Sequence, residues 1–119
     1  MDRETKALLV KKRDAIRAER DETASLRQRL EGGESDGVLL GRLASLEIAA
    51  GRFESALPYQ ERLIQQDSSS ANQRRLAYLY LQLGRYHDAL PVYEKILSRP
   101  DADADAGSLV NLGLAKSAL

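Results

Sequence analysis

RLASLEIAAGRFESALPYQERLI (residues 42–64) and RLAYLYLQLGRYHDALPVYEKIL (residues 75–97) are two copies of one pattern, 33 residues apart. Ten of the 23 aligned positions are identical: Arg42/Arg75, Leu43/Leu76, Ala44/Ala77, Leu46/Leu79, Gly51/Gly84, Arg52/Arg85, Ala56/Ala89, Leu57/Leu90, Pro58/Pro91 and Glu61/Glu94. In each copy apolar residues recur at three-to-four spacing before the glycine and again after it, which predicts two helices joined at Gly51 or Gly84. A glycine there can take the positive φ that ends a helix. Pro58 and Pro91 are expected near the start of each second helix, where a missing backbone donor is tolerated. Ala44 with Ala56, and Ala77 with Ala89, are the small residues at which two antiparallel helices approach closely.

Working outward, Leu109-x2-Leu112-Gly113 begins a third copy, and Glu31-Gly-Gly-Glu-Ser-Asp-Gly37 precedes the first. Ser35 or Asp36 is expected to cap the first repeat helix. Residues 1–31 carry 16 charged side chains and a thin apolar stripe at Leu9, Ile16, Thr23, Leu26 and Leu30, which predicts a long charged amphipathic helix with coiled-coil character. Lys12 and Glu19 interrupt that stripe, so a helix packed along its own repeats, or partly frayed, is expected ahead of stable self-association. Pairs such as Asp2/Lys6 and Asp14/Arg17 are expected to support the helix in water. The predicted organisation is an N-terminal helix over 1–31, a glycine-rich break over 32–36 and a repeat region over 37–119, divided into 37–69, 70–103 and a partial 106–119.

These residues resemble the tetratricopeptide repeat, whose pattern is W-x2-L-G-x2-Y, then A-x3-F, then P over about 34 residues. The second copy matches as Leu76-Ala77-x2-Tyr80, Gly84-x-Tyr86-x2-Ala89-x3-Tyr93-x2-Ile96, with Pro100 after it. The first keeps Leu43-Ala44, Gly51-x-Phe53-x2-Ala56 and Leu63, but has Glu47 and Gln60 where the second has Tyr80 and Tyr93. The resemblance implies an all-α superhelix of helical hairpins, two full repeats plus the first helix of a third. It also implies a non-catalytic scaffold or adaptor, whose concave wall holds a partner peptide or helix. The inner-face positions then fall on or beside Ser45, Arg74, Arg75, Tyr78 and Asn111. Family members that grip the C-terminal carboxylate of heat-shock chaperones use lysines and asparagines at positions that here read Gly41, Ser45, Arg75, Gly107 and Asn111. Binding of such chaperone tails is therefore not expected.

Composition narrows the chemistry independently. Lysine plus arginine and aspartate plus glutamate both number 18, so no global field draws in nucleic acid. The chain has no cysteine and a single histidine, His87, expected to face solvent; thiol catalysis, cysteine zinc sites and histidine metal pairs cannot be assembled. Asp101, Asp103 and Asp105 alternate as in a calcium loop, but the glycine comes one residue late and Leu112 stands where the closing glutamate belongs. A capping turn is the better account, with Asp105 or Ser108 opening the next helix. No cofactor is expected. Apolar residues are everywhere interrupted by polar ones, so no membrane insertion is expected, and a cytoplasmic location fits. Two rival readings are a homo-oligomerising assembly unit, joined through the N-terminal helix or the repeat ends, and a regulatory or assembly-factor fragment of a larger protein.

Overall fold

The computed structural model describes residues 2–99 and 106–119. The described residues form six helices: α1 (Arg3–Glu31), α2 (Gly37–Ala49), α3 (Phe53–Gln66), α4 (Ser70–Gln82), α5 (Tyr86–Leu97) and α6 (Ala106–Ala118). Helices α2 with α3 and α4 with α5 are tight hairpins, α3 packs on α4, and α6 packs on α5 with a smaller contact to α4. The fold is an all-α stack of hairpins. Pro100 and the acidic turn Asp101, Asp103 and Asp105 lie outside the described residues.

Capping explains where α1, and the first helix of each hairpin, begins. The Thr5 N–H donates to Asp2 Oδ1 (2.7 Å), the Leu39 N–H to Asp36 Oδ1 (2.8 Å) and the Asn72 N–H to Ser69 Oγ (3.4 Å), each satisfying an orphan donor of a first turn. Asp2 thus serves as a cap, and Asp14 meets Arg13 at 3.6 Å, in place of the expected lysine and arginine one turn on. Helices α3 and α5 lack side-chain caps. Their starts are set by the preceding glycine: Gly51 and Gly84 have φ of 77° and 73°, and the next residues, Arg52 and Arg85, donate back to the Glu47 and Tyr80 carbonyls at 2.8 Å. This reverse bond closes the preceding helix and aims the chain into the next. Pro58 and Pro91 sit six residues into α3 and α5, deeper than the sequence predicts. Each removes the bond to the Glu54 or His87 carbonyl, a loss that exposed helix faces can return to water. Ser108 also departs from expectation: it is buried inside α6 rather than capping it.

The hairpin crossings are where the small residues meet. Ala44, Ala56, Ala77 and Ala89 are all fully buried, and Tyr93 and Ile96 close the second hairpin beside Ala77 and Ala89. At the N-terminal side, Leu26 joins Leu39, Leu43 and Leu46, with Leu30 and Tyr59 at the edge. The last turns of α1 therefore belong to the same core as the first hairpin. Thr23, Ala56 and Ala89 recur at intervals of 33 and all three are buried. The end of α1 thus stands where the second helix of a preceding hairpin would stand. Residues 2–21 behave differently, every one of them exposed. No helix among the described residues is long and apolar enough to cross a membrane.

Candidate functional site

The first helices α2, α4 and α6 line one side of the stack. Arg74, Arg75 and Tyr78 project from α4 toward Asn111 and Gly107 on α6, and with Ile48 and Tyr93 they enclose a cleft of about 380 Å³. A neighbouring cleft of about 610 Å³ lies between α2 and α4 and is lined by Ser45, Val38, Leu63, Asn72 and again Arg75. The five residues singled out from the sequence therefore fall in two adjoining clefts joined at Arg75. Four of them share one cleft; Ser45 is in the other.

Their environments differ. The Tyr78 ring is about one-third exposed and is fixed edge-on to Phe53, with ring centroids 6.1 Å apart and planes at 79°. A tyrosine held this way presents an apolar face with little rotamer freedom left to lose on contact. Tyr59, Tyr80 and Tyr86 are half-buried and Tyr93 is buried, leaving Tyr78 as the one exposed tyrosine. Arg74 is exposed. Arg75 is half-buried, and its Nη1 reaches the Gly41 carbonyl (3.3 Å) and Gln60 Oε1 (3.5 Å), so it braces α4 against the first hairpin as well as lining both clefts. His87 is exposed on α5, apart from these residues.

Sequence reading missed the strongest polar feature of the molecule. Glu47 is fully buried in α2, and its carboxylate is held by Arg27 from α1 (2.8 Å to Oε1) and by Arg52 from the α2–α3 turn (2.7 Å to Oε2). A charge out of water needs such compensation. A second ion pair, Glu22 with Arg42 in bidentate contact at 2.7 and 2.8 Å, ties α1 to α2 nearby. The available signal was one acid inside the otherwise apolar run of α2, with an arginine at the following turn. Gln60, the other departure, is also fully buried and donates through Nε2 to the Asn72 carbonyl at 2.8 Å. It links α3 to α4 at the place where α5 has Tyr93.

Paired antiparallel helices with a 33-residue register, positive-φ glycines between them and alanines at each crossing define a helical-repeat architecture. Residues 75–103, which take in most of the second hairpin, match the family model described as tetratricopeptide repeat. No curated protein matches the chain. Repeats of this family are protein-interaction modules and are in general not catalytic.

Proposed function

We propose that the chain holds a partner protein on the face made by α2, α4 and α6, as a scaffold or adaptor without catalytic activity of its own. The observation that carries this reading is the convergence of Arg74, Arg75, Tyr78 and Asn111 on one 380 Å³ cleft. Guanidinium groups beside a fixed aromatic ring suit a segment that offers a carboxylate and an apolar side chain together, because the charge gives geometry and the ring gives buried area. Asn111 adds both a donor and an acceptor for a peptide backbone. Ser45 extends the same surface into the second cleft, long enough for an extended peptide or a short helix. The preferred ligand is accordingly a mixed acidic and hydrophobic segment.

The test is affinity capture with mass spectrometry, comparing the unaltered chain with Arg74→Ala and Tyr78→Ala, both at exposed positions where the fold is expected to survive. Partners held by this face are lost from both variants, with a weakening of tenfold or more for Tyr78→Ala. Capture that is unchanged in both removes this face as the binding surface.

A further inference from the structure

The N-terminal part of α1 lines neither of those two clefts and is exposed throughout. Residues 3–21 are all exposed and extend about 28 Å as helix, more than half of α1. Leu9 and Ile16 lie at heptad spacing with Thr23 and Leu30, so the stripe that seats on α2 continues past the end of α2, where Leu9 and Ile16 are exposed. Where α2 stops, Ile16, Glu19 and Thr23 of α1 and Leu46, Ala49 and Ala50 of α2 enclose a groove of about 260 Å³. The open face of α1 runs on from it, with Leu9 and Ile16 flanked by Lys12, Arg13, Arg17 and Arg20 and one acid, Asp21.

Charge identifies what fits there. Residues 3–21 carry seven basic and four acidic side chains, in a chain whose 18 and 18 balance, so the remainder holds the opposite excess. Arg17 and Arg20 lie one turn on from Arg13 and Ile16, on the flank of the apolar stripe, and Asp14 reaches only Arg13, at 3.6 Å between two exposed side chains. Lys12 and Glu19 within the stripe offset one another, but two such arms laid side by side with opposite directions would bring their Arg13 and Arg20 flanks together, which disfavours self-pairing.

We propose that the projecting part of α1 is a docking helix for an acidic amphipathic helix of another protein, which lies along Leu9 and Ile16 in line with α2 and places its carboxylates against Arg13, Arg17 and Arg20. The bound helix completes the seam that α2 begins. This surface is separate from the clefts, so one partner can be held on each.

The test uses the full chain and two synthetic 21-residue peptides of three heptads, alike in their leucine and isoleucine seam but with glutamate or lysine at every flanking position. Fluorescence anisotropy should show the glutamate peptide binding at least tenfold tighter than the lysine peptide. Ile16→Glu, checked for unchanged helicity by circular dichroism, should lose tenfold or more; Arg17→Glu with Arg20→Glu should reverse the preference toward the lysine peptide. Arg74→Ala and Tyr78→Ala should bind the glutamate peptide normally, which separates this site from the clefts. Equal binding of both peptides, or no effect of Ile16→Glu, overturns the proposal. A concentration-dependent mass abolished by Ile16→Glu would assign the stripe to a second copy instead, and binding to phosphatidylserine vesicles with no binding of the glutamate peptide would assign it to a lipid surface; either result also overturns it.

Discussion

At the turn of the first hairpin Arg52 reaches back five residues to the buried carboxylate of Glu47; at the turn of the second, 33 residues on, Arg85 lies over the ring of Tyr80 with its guanidinium carbon 4.9 Å from the centroid. The arginine and the glycine before it are the same in both, and the residue at 47 or 80 decides how the arginine is used. An aromatic ring is half-buried there and needs nothing more than a cation above its face. A carboxylate needs both oxygens satisfied, and the first hairpin recruits Arg27 of α1 for the second of them. The exchange of Tyr for Glu thus turns a self-contained hairpin into one that also anchors a neighbouring helix. The position 13 residues on follows suit: Tyr93 fills space in α5, whereas Gln60 in α3 spends its amide on the Asn72 carbonyl of α4. The first hairpin is tied to α1 through the buried Glu47 carboxylate, and Gln60 and Arg75 supply polar bonds between the two hairpins.

The largest test of that contrast removes the cations. Arg27→Ala combined with Arg52→Ala leaves the Glu47 carboxylate buried without compensation, and a loss of about 3–5 kcal/mol is expected in urea unfolding. Arg85→Ala removes a cation from the face of a half-buried ring and from an exposed partner, Asp88, and should cost about 0.5–1 kcal/mol. If the two changes cost the same, residue 47 does not play the part assigned to it.

What could be read from the sequence tracks how local each feature is. Hairpins, their glycine hinges and the alanine crossings were legible because they rest on neighbours one or two turns apart, repeated twice. The inner-face positions came from the family resemblance laid on that register, and four of the five line one cleft. Arg75 was legible as a lining residue but not as a brace, since its acceptors are the carbonyl of Gly41 and the amide of Gln60, 34 and 15 residues away. That α1 packs along the repeats was expected, but the contacts that seat it were hidden for a similar reason. Thr23 keeps the 33-residue register with Ala56 and Ala89 without being alanine, and Arg27 reads as one more surface charge until the fold brings Glu47 against it.

A change that ought to treat the hairpins alike sharpens the contrast from the other side. Ala44→Leu and Ala77→Leu each force a larger side chain into a crossing where the alanine is fully buried, so each should cost about 1–3 kcal/mol through overpacking. The crossing depends on backbone approach, which both hairpins share, and not on the polar contacts that distinguish them. Thermal melting should therefore show similar drops for the two variants. A drop confined to one hairpin would mean that the crossings are not equivalent and that polar wiring has altered the packing itself.

The smallest expected effect is also the most diagnostic, because it separates the hairpins by pH. Hydrogen bonding from Arg42 holds the Glu22 carboxyl below its ordinary range, in a pair that is partly exposed and so modest in strength. A depressed carboxyl contributes stability that is present above its unfolded pKa and is lost as pH falls through the folded one. Acid should therefore loosen α1 from α2 first. Tyr80 is shifted the other way: burial, and then the charge of Glu61, raise its phenol above the usual range. Its contribution is present below the unfolded value and is lost as pH rises through the raised one, so alkali should loosen the second hairpin. Amide hydrogen exchange compared across pH, with rates corrected for their intrinsic dependence, should show protection at residues 22–31 falling at the acid end while residues 77–93 hold. The order should invert at the alkaline end. Glu22→Gln should flatten the acid response and leave the alkaline one intact, whereas Tyr80→Phe should do the reverse; uniform loss of protection along the chain at both ends would show one cooperative unit with no division between polar wiring and packing.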